Sequence, residues 1–380
     1  MESNFIYLDY NSTTPVDNRV LEVMLPYFNT MHANPDSPHL FGLSVRDAVE
    51  GATEDLADML GSSPHNILYT SGATEAINLA IKGLLPSERK HVVTVATEHR
   101  AVLETCSFLE NMGYRVTYLP VDAQGMVNLA LLADSVTEDT LLVCVMLANN
   151  ETGVIHPIKE ICRIVHQKGA WMLSDATQAI GKLPINVMDM EVDFLAFSAH
   201  KFYGPKGIGG LYLSGRAKKA LSPLIHGGGQ QEGQRSGTLN VPGIIGMGKA
   251  ATIAVSEMSS DNERITGLRD KLETELLAIG GTFRNGHSEK RLGNTTNIGF
   301  RGVSSEQLIM GLGTVSVSSG SACSSTINRP SHVLKAMGLS DPDGLSALRF
   351  SLGRFTTEDE IERTVEKMKA VVARLRTRPH

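Results

Sequence analysis

Short runs of apolar and β-branched residues alternate with segments of helical periodicity from about residue 65 onward, and this alternation narrows the possible folds more than any other feature of the chain. The runs at 67–70, 91–96, 115–119, 141–147, 171–174, 194–198 and 209–213 read as strands. Between them, 74–85, 101–112 and 158–168 read as helices. Strands that alternate with helices lie mainly parallel, with helices covering both faces of the sheet. The sequence therefore predicts an α/β protein with a mainly parallel central sheet. At 380 residues the chain is long enough for about two domains. After about residue 250 the texture changes: a long helical stretch at 247–277 leads to strand-like pieces at 296–300 and 315–318. A charged helix opens at Thr357, and Glu360 three residues on gives it a capping box. The expected division is a large domain over 15–255 and a smaller α+β domain formed by 256–380 with 1–14.

Charge and composition exclude several roles. The formal net charge is -6, and the basic residues are scattered rather than massed, so neither nucleic acid nor a membrane surface is expected as a direct partner. The N-terminus lacks the basic start and apolar stretch of a signal peptide. The longest apolar run, 141–148, is far too short to cross a bilayer. Four cysteines form no disulfide framework in a chain of this length, and none are in metal-ligand spacing. No metal is expected, and a cytoplasmic location is.

Polar residues cluster directly after several of these strands, where ligands of open α/β sheets gather. The first cluster, Ser71-Gly72-Ala73-Thr74-Glu75, joins a strand to a helix. Small residues and the free N–H groups of a helix start suit an anion there, although taken alone the segment reads as an ordinary N-cap. The second is Asp175 at a strand end, followed by Gln178; a carboxylate in that position can keep a pyridine-type ring nitrogen protonated, or cap a helix. The third runs Ser198-Ala199-His200-Lys201 into Gly204-Pro205. A lysine just past a buried strand and followed by a rigid turn can lose its proton and form a Schiff base. The fourth is Ser318-Ser319-Gly320-Ser321-Ala322-Cys323-Ser324-Ser325. Cys106, Cys144 and Cys162 lie in apolar patterns and read as small buried hydrophobes. Cys323 does not: its Ser and Gly neighbours are those of an exposed, mobile loop, where a thiol can react.

Together these segments resemble the NifS/IscS-type cysteine desulfurases, a branch of the class V aminotransferases among fold-type I pyridoxal-phosphate enzymes. The likeness runs from Leu8-Asp9-Tyr10-Asn11-Ser12-Thr13-Thr14-Pro15 nearly to the C-terminus. It includes Thr97-Glu98-His99, Asn149-Asn150-Glu151, Asp175-Ala176-Thr177-Gln178, Arg235-Ser236-Gly237-Thr238 and Arg349-Phe350-Ser351-Leu352-Gly353-Arg354. The resemblance implies pyridoxal 5'-phosphate held covalently by Lys201. It assigns Asp175 to the pyridine nitrogen, Gln178 to the ring hydroxyl and His99 to the ring face. Ala73, Thr74, Ser198 and His200 are implied at the phosphate, with Thr238 reaching the phosphate of the neighbouring subunit in a homodimer. Asn150 and Arg349 are implied to hold the substrate carboxylate.

The implied reaction converts L-cysteine to L-alanine: Lys201 moves the α-proton, with His99 as an acid–base partner, and Cys323 receives the sulfur as a persulfide. The form of the Cys323 segment resembles the group whose cysteine travels from the cofactor to an acceptor protein. Relatives that serve the main iron–sulfur scaffold carry a further C-terminal docking segment, whereas this sequence stops at Arg376-Thr377-Arg378-Pro379-His380. A scaffold and a dedicated carrier, for iron–sulfur assembly, transfer-RNA thiolation or DNA phosphorothioation, therefore both stay open. The alternatives are a selenocysteine lyase, another lyase or aminotransferase on the same fold, and a docking subunit without catalysis. The last is disfavoured because Lys201, Asp175 and Arg349 are all present.

Overall fold

The strand-like and helical segments fold in the expected order. The structure is a computed structural model and describes residues 5–319 and 330–377. β1 (Ile6–Tyr7) precedes β2 (Ile67–Thr70), β3 (His91–Val95), β4 (Arg115–Leu119), β5 (Thr140–Cys144), β6 (Trp171–Asp175), β7 (Phe194–Ser198) and β8 (Gly209–Leu213). After the helix Val241–Leu277 come β9 (Thr282–Asn285), β10 (Thr295–Phe300), β11 (Val315–Ser316) and β12 (Ala347–Ser351).

β2 to β8 form a seven-stranded sheet in the order β2-β8-β7-β6-β5-β3-β4. All neighbours are parallel except at β8, which is antiparallel to both β2 and β7. The exception has a simple cause. Residues 199–208 between β7 and β8 hold only the 3₁₀ turn Ala199–Lys201, and a parallel return needs a crossover of about a dozen residues or more.

β3, β5, β7 and β8 are buried at every position, as a sheet covered on both faces requires. Val93, Val143, Met172 and Leu195 enter one apolar cluster, and their neighbours Val92, Leu142, Leu173 and Phe194 enter another. Helices Ala73–Lys82 and Arg100–Asn111 cover the second face through Ile77, Ile81, Val102 and Cys106. Helices Leu40–Leu60 and Ile158–Gln167 cover the first through Val49, Leu56, Ile161 and Cys162. Cys106, Cys144 and Cys162 are all buried, as their apolar patterns suggest.

A third cluster gathers Leu8, Leu272, Leu276, Phe300, Phe350, Ile361 and Met368. It lies against the antiparallel sheet β12-β10-β9 and the parallel pair β1-β11. The helix Val241–Leu277 runs between the clusters, with Ile244, Met247 and Ala254 in the first and Ile265, Leu272 and Leu276 in the third. It starts at Val241 rather than at 247, because Pro242, Gly243, Gly246 and Gly248 hide its periodicity. Packing outweighs their poor helix propensity: a Cβ on Gly248 would lie 2.7 Å from Ala52 Cα, so the glycine lets the two helices touch. The C-terminal helix Glu358–Arg376 opens with the expected capping box between Thr357 and Glu360. Among the described residues, no helix is long and apolar enough to cross a membrane.

Candidate active site

The carboxyl ends of β2, β3, β5, β6 and β7 open on one cavity of about 300 Å³. Ala73, Thr74, His99, Asn150, Asp175, Gln178, Ser198, His200, Lys201 and Arg349 all line it. Thr238 does not. It lies exposed in the segment before the helix Val241–Leu277. Cys323 lies outside the described residues.

One end of the cavity is built to take an anion. The helix Ala73–Lys82 starts after Gly72 with no side-chain cap, so the ordinary N-cap suggested by Ser71 and Thr74 is not what forms. Ala73 N donates instead to Ser198 Oγ, 2.7 Å away at the end of β7. Close approach behind the loop needs Gly209, where a Cβ would meet Gly72 Cα at 2.6 Å. Glu75 in the first turn accepts from Ser71 N at 2.7 Å and pairs with Arg235 at 2.8 Å, so its charge is compensated. The His200 ring lies 3.1 Å from Thr13 Oγ1. Burial, with the charges of Lys201, Lys206 and Lys182, lowers its pKa to about 4, so the ring is neutral at neutral pH.

The middle of the cavity carries the ionisable groups. Lys201 follows β7 on the 3₁₀ turn, and its Nζ donates to the carbonyls of Asn11 at 2.6 Å and Ser12 at 2.8 Å. Asp175 ends β6, buried, and its Oδ1 accepts from Thr177 N at 2.9 Å, which caps a turn rather than a helix. Gln178 donates Nε2 to Asn11 O at 2.8 Å. His99 caps the helix Arg100–Asn111: its Nδ1 accepts from Ala101 N at 3.1 Å, which leaves Nε2 to carry the proton of the neutral ring. Thr177 Oγ1, also at the cavity, is buried without a partner among the described residues.

The opposite wall comes from β12. Arg349 Nη2 donates to Asp9 Oδ1 at 2.6 Å and Ser12 Oγ at 2.8 Å, and Nη1 donates to Asn150 O at 2.9 Å. Its Nε is buried with no partner among the described residues. The two described flanks of the Cys323 segment both end on this wall. Arg349 N donates to Ser318 O at 2.7 Å, and Ser331 Oγ donates to Glu151 Oε2 at 2.5 Å. His332 Nε2 lies 2.9 Å from Glu98 O, beside His99. Burial raises the Glu151 pKa to about 7.

Asn11, Ser12, Asp9, Thr177 and Glu151 all contribute without a role from the sequence. Toward Lys201 the first two act through backbone carbonyls, brought in from a turn about 190 positions away. Only the Asn11-Ser12-Thr13-Thr14-Pro15 turn after an apolar start marks that place in the sequence.

The matches to known proteins agree with this architecture. The family model described as aminotransferase class-V matches residues 6–364. A protein of Glaesserella parasuis named cysteine desulfurase IscS is 47% identical over 382 residues, covering 98% of this chain and 93% of that one. A solved structure titled NifS-like protein superposes with a TM-score of 0.91 at 39% identity, covering 97% of this chain and 99% of its own. Another, titled SspA in complex with cysteine, gives 0.83 at 36% identity, covering 93% and 100%.

Proposed function

The chain belongs to the aminotransferase class-V family, and from that premise we propose that it is a pyridoxal-phosphate-dependent cysteine desulfurase. It converts L-cysteine to L-alanine, holds the sulfur as a persulfide on Cys323 and passes it to an acceptor protein. The observation that carries this reading is the convergence of Lys201, Asp175, a helix start whose N-cap is Gly72, and Arg349 on one cavity.

The donor set fits pyridoxal phosphate. Ala73, Thr74, Ser198 and the neutral His200 suit a phosphate at the helix start. Asp175 suits a protonated ring nitrogen, and the orphaned Thr177 hydroxyl is one polar group a ligand would satisfy. Bound pyridoxal phosphate supplies an electron sink that stabilises negative charge on the substrate α-carbon.

The chain's own residues supply the rest. Lys201 would hold the cofactor covalently until the substrate amine displaces it, and its freed Nζ would then take the proton from the substrate α-carbon. His99 would lie against the ring face of the bound cofactor, and its Nε2–H would serve as an acid–base partner. Arg349, restrained by Asp9 and Ser12, binds the substrate carboxylate through its Nε, which has no partner among the described residues, with Asn150 beside it. The Cys323 thiolate then attacks the substrate sulfur. The carbon–sulfur bond breaks, its electron pair stays on carbon and is protonated, and alanine leaves. The persulfide sulfur moves to an acceptor thiol by an exchange of the thiol–disulfide kind.

An aminotransferase on this fold would use Lys201 and Asp175 but has no use for Cys323, and the cysteine desulfurase name of the relative and the cysteine-bound structure favour desulfuration. The working enzyme is a cytoplasmic homodimer in which exposed Thr238 completes the neighbouring phosphate site. Residues 15–255 form its cofactor domain, and 256–380 with 1–14 form the domain that brings Arg349 and Cys323. The acceptor is a scaffold or carrier protein with a reactive thiol.

Purified protein is expected to be yellow, and Lys201→Ala to lose the colour. Borohydride reduction followed by peptide mapping should label Lys201. A label on Lys206 or any other lysine would overturn the assignment.

A further inference from the structure

Lys182 takes no part in the chemistry above, yet it is bonded to Gln178, which lines the cavity. It follows Gly181, which has φ 70°, and a Cβ on Gly181 would lie 2.5 Å from Phe202 Cβ. Glycine there lets this segment pack onto the residue after Lys201. Asn262, on the helix Val241–Leu277, donates its Nδ2 to Lys182 O at 2.6 Å and fixes the backbone. Lys182 Nζ donates to Gln178 O and to Gln178 Oε1, each at 3.0 Å.

Gln178 is held from both sides. Its Oε1 accepts from Lys182, while its Nε2 donates to Asn11 O at 2.8 Å, the carbonyl that also accepts from Lys201. A primary amide can turn over with little change of shape, so its neighbours decide which atom lies where. An amine nitrogen with two N–H groups serves both Gln178 acceptors in either protonation state. Burial and the charges of Lys201 and Arg349 lower the Lys182 pKa to about 7.

We propose that Lys182 is a positioning residue for the cofactor: by holding Gln178 Oε1, it commits the second N–H of Gln178 Nε2 to the ring oxygen of pyridoxal phosphate. This rests on the cofactor reading above. Without Lys182 only the Asn11 carbonyl opposes a turn of the amide, and a turned amide would place its oxygen against the ring oxygen, where two acceptors repel.

The test is a double-mutant cycle on cofactor affinity. Apoprotein is titrated with pyridoxal 5'-phosphate for the wild type, Lys182→Met, Gln178→Leu and the double variant, with circular dichroism to check folding. Lys182→Met should weaken binding roughly tenfold or more, as loss of a hydrogen bond to a charged group does, and should shift the visible absorption maximum. In the Gln178→Leu background the same change should cost less than about twofold, because the amide it orients is gone. Should Lys182→Met fail to fold, Lys182→Leu takes its place in the cycle. Equal losses in both backgrounds, or unchanged affinity in Lys182→Met, would assign Lys182 to packing and overturn the proposal. Wild-type apoprotein that does not bind pyridoxal phosphate would overturn the cofactor reading as well.

Discussion

Arg349 shows how one side chain is prepared for a ligand. Asp9 and Ser12 hold its Nη2, Asn150 O holds Nη1, and Nε stays buried and unpartnered among the described residues. A buried donor without a partner costs free energy that a bound carboxylate recovers. Arg349→Ala should therefore weaken cysteine binding by roughly 1.5–3 kcal/mol while the cofactor stays bound. Cysteine titrations of the cofactor spectrum read this directly; a wild-type titration curve in the variant would place the carboxylate elsewhere. Arg349 was legible in the sequence through its family-like motif. Asp9, which orients it, was not, because the contact joins residues 340 positions apart and leaves no periodic trace. Lys182 was hidden for a different reason: a lysine reads as solvated until packing encloses it.

The elements around the site carry a pH-sensitive pin. Ser331 caps the helix His332–Ala336 and donates to Glu151, which is buried behind Asn150. Burial raises the Glu151 pKa from 4.5 to about 7. The folded state therefore binds this proton more tightly than the unfolded chain does. The stability it brings is fully present below pH 4.5 and is lost as the pH rises through about 7. Glu151→Gln keeps an oxygen for Ser331 and removes the buried charge. It should be more stable than wild type at pH 8 by about 1–3 kcal/mol and should flatten the pH dependence between 4.5 and 7. Urea unfolding at pH 5 and pH 8 measures both, and an unchanged slope would show that Glu151 is not the group responsible. Elements were the most legible level, and their misreadings have causes. The apolar run at 141–147 outlasts β5, which ends at Cys144, because past that point only the β6 side keeps backbone bonds, from Val145 N to Leu173 O and from Leu147 N to Asp175 O. Met146 N then donates to Glu98 Oε1, so a side chain replaces the ladder there. The start of the helix Val241–Leu277 was masked by glycines that only its packing explains.

Across the whole molecule, the site depends on both halves of the chain. Lys201, Asp175 and the helix Ala73–Lys82 come from the seven-stranded sheet, while Arg349 comes from β12 and Asn11 follows β1. The order of motifs along the sequence made the large sheet's share of this convergence legible, since Thr74, His99, Asp175 and Lys201 end or follow its strands. The turn of Gln178 by Lys182 was not legible, because it is fixed by contacts rather than by order. The reading as a desulfurase turns on where the sulfur goes. Proton removal needs Lys201 and the ring, but desulfuration also needs a nucleophile that can reach the substrate sulfur. Burial pushes the Cys106 and Cys162 thiols up to about 12 and the Cys144 thiol well above its ordinary value, so none of the three is a reactive thiolate. The direct measurement is mass spectrometry of the holoenzyme after L-cysteine without reductant, with Cys323→Ser alongside. Wild type should carry one added sulfur on the Cys323 peptide, and the variant should keep its cofactor, show no added sulfur and release almost no alanine. Sulfur found only on Cys106, Cys144 or Cys162, or normal alanine release by Cys323→Ser, would contradict it.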